Sequence, residues 1–386
     1  MASSSRSTLH RRHWLATALA GISAKAHGAQ STLLSSPLRD IHVIVVGAGM
    51  AGLAAACAVE ELGATVTVME AASRIGGRNW TLRPGDAVQD IANSAQTCAF
   101  SSGQYFNAGA WRVMPWHHRL IRLVQRHAIA LEPTSADGAT PTIPSMQPAG
   151  GMDRLPHAMA QALLKPVQTS TKVLAIRPSR GLLPSGVSVL AQSVGSLQWH
   201  DADYAIVTIP LGLLHGLEMT LTSQLRLALQ GVQAADAIKV AFEAREPIAT
   251  NSSEELQGVR LMWPSGDTPV SQRICSVYGN ASAIETAFAK SRPLQIAHAR
   301  NLLHAATPRY KLEFQAPLVV QWSRIPFARA AAMRLTPQHT AALQQLQAGL
   351  PPIFFAGDAL SSRNGWQEGA LESAEEAVTR LLKRHR

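Results

Sequence analysis

Short β-branched runs and longer Ala/Leu-rich stretches follow one another along this chain. Residues 41–46, Ile-His-Val-Ile-Val-Val, have strand length and a pattern that predicts burial on both faces. A segment with helical spacing follows to about residue 62, and residues 65–69, Thr-Val-Thr-Val-Met, predict a second strand ending at Glu70. Further strands are predicted at residues 172–176, 203–210, 238–242 and 352–358, and helices at residues 118–123 and 364–382. Strand, helix, strand in that order at the start marks an α/β layer.

Between the first strand and the first helix stands Gly47-Ala48-Gly49-Met50-Ala51-Gly52. Gly47 permits the tight turn, Gly49 lets backbone approach a pyrophosphate, and Gly52 lets helix and strand pack closely, with Ala51 in the same first turn. The helix start supplies free N–H groups and the positive end of a dipole to phosphate. Glu70, 23 residues after Gly47, is placed to accept hydrogen bonds from ribose hydroxyls, and an acid there disfavours a 2′-phosphate. Alone, this unit reads as a dinucleotide site.

Arg74-Ile75-Gly76-Gly77-Arg78 follows directly, a second glycine pair whose flanking arginines can reach the same pyrophosphate. Here the sequence resembles the flavin amine oxidase family, which includes monoamine, polyamine and L-amino-acid oxidases. The resemblance covers about residues 41–383 and implies non-covalent FAD. Near the C-terminus, an apolar strand closes on Gly357-Asp358, and Asn364-Gly365-Trp366-Gln367-Glu368-Gly369-Ala370 opens a helix. By the resemblance, Asp358 meets the ribityl chain of the flavin, Trp366 stands beside its ring, and the backbone of Val173 meets adenine. No cysteine lies in that block to attach the flavin covalently.

Phe106-Asn107-Ala108-Gly109-Ala110-Trp111-Arg112-Val113-Met114-Pro115 bears on the substrate. An arginine in an apolar stretch needs an anionic partner, and its fork suits a carboxylate. The segment is similar to the L-amino-acid oxidase pattern, in which the glycine, here Gly109, is followed by an arginine that binds the substrate carboxylate. Arg112 takes that place, or else it pairs with an acid or with the cofactor itself. Trp322 matches a tryptophan found near the flavin in this family, with core packing as the alternative. Gly151-Met152-Asp153 resembles the start of the helix after the lid.

Composition then narrows the setting. Apolar residues make up 46% and charged residues 16%, as expected of an ordered globular protein. The net charge of +10 is partly an N-terminal effect: residues 1–39 hold Arg6, Arg11, Arg12, Lys25 and Arg39 and no acid. Removing them leaves 30 basic and 25 acidic residues, a mildly basic surface with no nucleic-acid face. Arg11-Arg12 precedes a short apolar stretch, residues 14–24, and Ala24-Lys25-Ala26, the layout of a cleavable twin-arginine export signal to a bacterial periplasm. An organellar transit peptide is the alternative. No later segment is long and apolar enough to span a membrane as a helix. Cys57, Cys98 and Cys275 lack metal or disulfide spacing, and Cys57 reads as a small buried residue in a helix. His117-His118 has no acidic or cysteine partner at metal spacing.

Two departures from the family stand out. Its members carry a lysine shortly after the strand matching residues 238–242, and Glu243-Ala244-Arg245-Glu246-Pro247 holds none, Arg245 being the nearest substitute. The long helical lid is also missing, because residues 131–150 are Pro/Thr/Ser/Gly-rich and read as a loop. The expected architecture is α/β plus α+β: a doubly wound, Rossmann-like FAD domain (residues 40–115, 150–210 and 345–386) with an inserted substrate domain (116–149 and 211–344). The expected activity is oxidation of an L-amino acid at its amine, with dioxygen as acceptor, giving a 2-oxo acid, ammonia and hydrogen peroxide. Arg112 would clamp the carboxylate and Trp366 would wall the ring. An amine or polyamine oxidase, and a flavin-binding protein without oxidase activity, are the alternatives. A homo-oligomer is left open.

Overall fold

The first two strands lie side by side as their apolar pattern requires. In the computed structural model, Thr65–Met69, His42–Val46, Tyr204–Val207 and Ile353–Phe355 form, in that order, a four-stranded parallel sheet. Val46 pairs with Met69 and with Val207, and Val207 pairs with Phe355, so all four strands end at one edge. Ligands of open parallel sheets bind outside such an edge. The structure describes residues 36–92, 94–134, 136–137, 145–179, 186–246, 252–263, 273–308 and 312–386, and Leu38–Arg386 forms one unit. The export signal read from residues 1–39 falls almost wholly outside the described residues.

Alternation along the strands sends side chains to two cores. Val43, Val45, Ile206 and Phe354 pack with helices Met50–Glu61 and Gln367–His385, among them Leu53, Ala56, Ala374 and Leu381. Ile44, Val46, Ala205, Val207 and Phe355 face an antiparallel sheet of Ser196–Ala202, Val187–Ser193 and Lys172–Pro178, with Glu218–Met219 added in parallel at its edge. A third, six-stranded sheet has the order Phe314–Gln321, Ala237–Ala244, Ile274–Asn280, Val259–Met262, Ser252–Leu256 and Ala136–Asp137. Helix Arg292–Ala306 covers it through Ala299, Leu302 and Leu303. Every residue of Ala237–Ala244 is buried, because this strand is covered on both faces.

Residues 131–150 differ from the expected loop. Leu131–Pro133 pairs antiparallel with Met146–Pro148, and Ala136–Asp137 pairs with Ser252 and Ser253 at the end of the six-stranded sheet. Prolines at strand ends keep their missing donors off the ladder, so a Pro-rich segment can still pair. Residues 135 and 138–144, part of the same stretch, lie outside the described residues. Cys57 is half-buried rather than buried; its Sγ lies 3.4 Å from the Met159 carbonyl, and burial pushes its thiol up to about 11.

One buried carboxylate joins two helices. Glu368, 1% exposed, accepts the N–H groups of Arg119 (3.0 and 3.1 Å) and Leu120 (3.0 Å) at the start of helix His118–Arg126. That helix has no side-chain cap of its own, so a residue of the C-terminal helix satisfies its orphan donors. Glu368→Ala leaves those buried donors unpaired and is expected to cost about 3 kcal/mol. Urea unfolding should show a lower midpoint at unchanged slope; a midpoint within error of the parent protein would contradict this role.

Candidate active site

A cavity of ≈ 630 Å³ opens at the edge where the parallel strands end and reaches the six-stranded sheet. Gly47, Gly49, Ala51, Glu70, Gly77, Arg78, Gly109, Val173, Gly357, Asp358 and Trp366 all line it, most of the residues that the sequence singles out. Two do not. Gly52 serves packing instead: a Cβ there would stand 1.9 Å from the Gly47 carbonyl oxygen. Arg112 is also not a wall residue, but its guanidinium lies 4.5 Å from the ring of Trp111 and 5.3 Å from that of Trp366, and both indoles are wall.

The parallel-sheet side of the cavity suits a dinucleotide. Helix Met50–Glu61 begins at Gly49 with no acid in its first turn and no side-chain cap, so its N–H groups remain for an anion. Nothing stands within 4 Å of where a Cβ would sit on Gly49 or Gly357, and Gly77 approaches Gly49 across the turn, its own Cβ position 3.3 Å from that Cα. Glu70 is buried, and its two oxygens accept from Ala48 N–H (2.7 Å) and Ala72 N–H (2.8 Å), which fixes the carboxylate beside the turn. Asp358 is buried too; it pairs with Arg78 and accepts from Gly365 N–H at 2.9 Å. Arg78 also donates to the Ala331 carbonyl at 2.8 Å. The two acids that line the cavity are thus both held by donors from the chain.

At the other end the chemistry changes sign. Lys239, 2% exposed, donates to the carbonyls of Asn107 and Gly109, each at 2.7 Å. Burial, and then the charge of Arg112, lower its ammonium to about 7. Tyr278 lies directly opposite Lys239 in the antiparallel ladder and therefore shares its face of the sheet. Tyr278 is raised by burial and feels the charges of Arg260 and Arg112. Trp111, Trp322 and Trp366 complete the walls, with Trp322 anchored by Nε1–H donation to the Ala108 carbonyl at 3.1 Å.

The lysine corrects the sequence reading. No lysine closely follows residues 238–242, yet Lys239, inside that strand, is the buried amine. Arg245 is no substitute: it is exposed and paired with Glu313 at 2.6 Å. A lysine amid Ile-Lys-Val-Ala-Phe, with both neighbours apolar, was the available signal. Tyr278 carried no comparable signal. His117 does not act as half of a pair: it is buried against Trp116 and Trp366, while His118 is exposed.

Segment 107–112 is tied to the C-terminal helix and packs closely on Arg78. Gln367 accepts from Asn79 Nδ2 at 2.6 Å and donates to the Arg112 carbonyl at 3.4 Å. A Cβ on Gly109 would fall 1.7 Å from the Arg78 carbonyl oxygen, so only glycine allows that approach.

Comparison with known proteins agrees with this geometry. Residues 140–382 match the family model described as flavin containing amine oxidoreductase, and residues 45–107 match an NAD(P)-binding Rossmann-like domain. An L-amino-acid oxidase of Notechis scutatus scutatus is 43% identical over 81 residues, 21% of this chain and 13% of that enzyme. Another, of Bungarus fasciatus, is 41% identical over 81 residues, with the same shares of each chain. The aligned stretches thus span about an eighth of those enzymes' lengths. A cyclohexylamine oxidase from Brevibacterium oxydans IH-35A superposes with a TM-score of 0.70 at 16% identity, over 89% of this chain and 99% of that one. A putrescine oxidase variant gives 0.69 at 15%, over 89% and 100%. With its nucleotide turn, its paired Arg78 and Asp358 and a family match across 140–382, this chain belongs to the flavin-containing amine oxidoreductases, with FAD as cofactor.

Proposed function

We propose that the protein oxidises the amine of a carboxylate-bearing substrate, an L-amino acid, to an imine that water converts to a 2-oxo acid and ammonia. FAD, when bound, supplies the two-electron oxidation and passes the electrons to dioxygen, giving hydrogen peroxide. The observation that carries this reading is the charge of the substrate end. Lys239 and Tyr278 line it, and Arg112 acts electrostatically on both. The acids that line the cavity, Glu70 and Asp358, stand at the nucleotide side and are already bonded. A substrate carboxylate complements such a site.

The residues divide the work. Trp111, Trp322 and Trp366 orient the substrate and keep water out. Arg112, set against two of these indoles rather than in the wall itself, would meet the carboxylate with its fork where the substrate reaches past them. Lys239 has two acceptors fixed on it. A neutral amine has two N–H groups, so both are used and its lone pair is left for a water or a substrate proton. With the ammonium lowered to about 7, that lone pair becomes available as pH rises past neutrality.

A second reading has its own support. Three indoles and a phenol also form a cage for an alkylammonium, as in an amine oxidase. Lys239 in the cavity answers one of the two departures that favoured a flavin protein without activity, the missing lysine; the short lid is the other. Export by the residues 1–39 segment is part of the proposal; fused to a reporter, it should deliver the reporter across the inner membrane only while Arg11 and Arg12 are intact.

Arg112→Gln should raise KM for amino acids about 100-fold while flavin stays bound. Peroxide assays over amino acids and their decarboxylated amines check this; unchanged KM, or turnover of amines alone, sinks the carboxylate reading. In the parent protein kcat/KM should rise between about pH 6 and 8, as Lys239 loses its proton. Lys239→Met should remove that limb and lower kcat by about 100-fold or more. A variant that keeps the limb assigns the ionisation elsewhere.

A further inference from the structure

His117 is a buried titratable group that the reaction above does not use. It is 0% exposed, and its Nδ1 accepts the Met114 N–H at 3.1 Å. An acceptor at Nδ1 places the ring proton of the neutral imidazole on Nε2. That Nε2 is buried and has no hydrogen-bond partner among the described residues. Its ring neighbours are two indoles: Trp116 at 4.0 Å and 87°, and Trp366 at 5.2 Å and 69°. The indoles meet each other at 5.0 Å and 71°.

Two of the three rings each carry a guanidinium group nearby. Arg363 lies 4.6 Å from the ring of Trp116, and Arg112 lies 5.3 Å from that of Trp366. Trp366 is cavity wall; His117 is not. An N–H left without an oxygen or nitrogen acceptor, on a ring that meets two neighbouring indoles at steep interplanar angles, has their π systems as its available acceptor.

We propose that His117 is a positioning residue: its Met114-anchored ring donates Nε2–H to the Trp116–Trp366 pair, fixing the plane of Trp366 and the guanidinium of Arg112 that stacks on it. The proposal rests on the function assigned above to Arg112 and Trp366. The neutral ring is what the surroundings favour. Burial, then the charges of Arg112, Arg363 and His118, lower His117 to about 4. A cation here would be opposed by the charges of two arginines. A second feature supports the assignment: the helix that begins at His118 is held by Glu368, two residues after Trp366, so the two segments are already fixed at their backbones. His117 sets what those backbone contacts leave open, the side-chain planes.

The test uses the holoenzyme and its flavin-free form, with His117→Phe, which keeps a ring but neither nitrogen, and His117→Asn, which restores an acceptor for Met114. In His117→Phe, flavin content should persist, the visible circular dichroism of the flavin should change, and KM for the amino acid should rise about tenfold with kcat less affected. His117→Asn should recover part of the KM. In the flavin-free protein, tryptophan emission should shift in His117→Phe and less in His117→Asn. Nitrogen NMR of histidine in the parent protein should show protonated Nε2 and bare Nδ1 down to about pH 5. Parent-like KM, dichroism and emission in His117→Phe overturn the proposal, as does a proton on Nδ1. If His117→Phe does not fold, the Asn variant and the NMR tautomer still decide. Benzoate, titrated against the flavin spectrum, separates the two failures. A parent protein that binds neither benzoate nor amino acids refutes the carboxylate reading, whereas the emission and NMR results test His117 on their own.

Discussion

Buried backbone must be bonded, and segment 107–112 shows what that constraint builds. The carbonyls of Asn107 and Gly109 take Lys239, that of Ala108 takes Trp322, and that of Arg112 takes Gln367. Each donor comes from a different part of the chain: one strand of the six-stranded sheet, the turn after another, and the C-terminal helix. Gly109 closes the arrangement by letting its backbone touch that of Arg78. The nucleotide layer and the six-stranded sheet therefore meet along one stretch of main chain. The cavity lies there because the stretch brings both sets of side chains to its walls.

Much of the nucleotide side was legible in the sequence, for a physical reason. The turn, the acid after the second strand and the Gly-Asp block follow local rules of conformation and charge, so their letters and spacing carry the meaning. Gly47, Glu70 and Asp358 accordingly come together on the wall of one cavity. The substrate side is assembled from cross-strand neighbours. Lys239 and Tyr278 are 39 residues apart and become adjacent only through antiparallel pairing, which no local pattern reveals. Lys239 was passed over because it lay inside an apolar strand, where a charge is an exception to the strand's own pattern. The pairing of Leu131–Pro133 with Met146–Pro148 was hidden by prolines, which break the period that betrays most strands. Arg112 was legible as an oddity, but its stacking on Trp111 and Trp366 was not, because stacking needs the fold.

The electrostatic contrast along the cavity connects fold to chemistry. At the nucleotide side Asp358 is paired with Arg78, and Glu70 is held by two backbone N–H donors. At the far end, burial and then the charge of Arg112 lower the Lys239 ammonium to about 7. A bound carboxylate would relieve Arg112 and leave the lysine amine able to hold a water or a proton. The aromatic walls alone do not discriminate an amino acid from its amine; in the proposed reading that discrimination falls to the guanidinium of Arg112.

Anaerobic reduction of the bound flavin by matched pairs, each an amino acid and the amine left by its decarboxylation, tests this most directly. The account predicts that amino acids bleach the flavin at least about 100-fold more efficiently than their amines. Faster bleaching by the amines would contradict it.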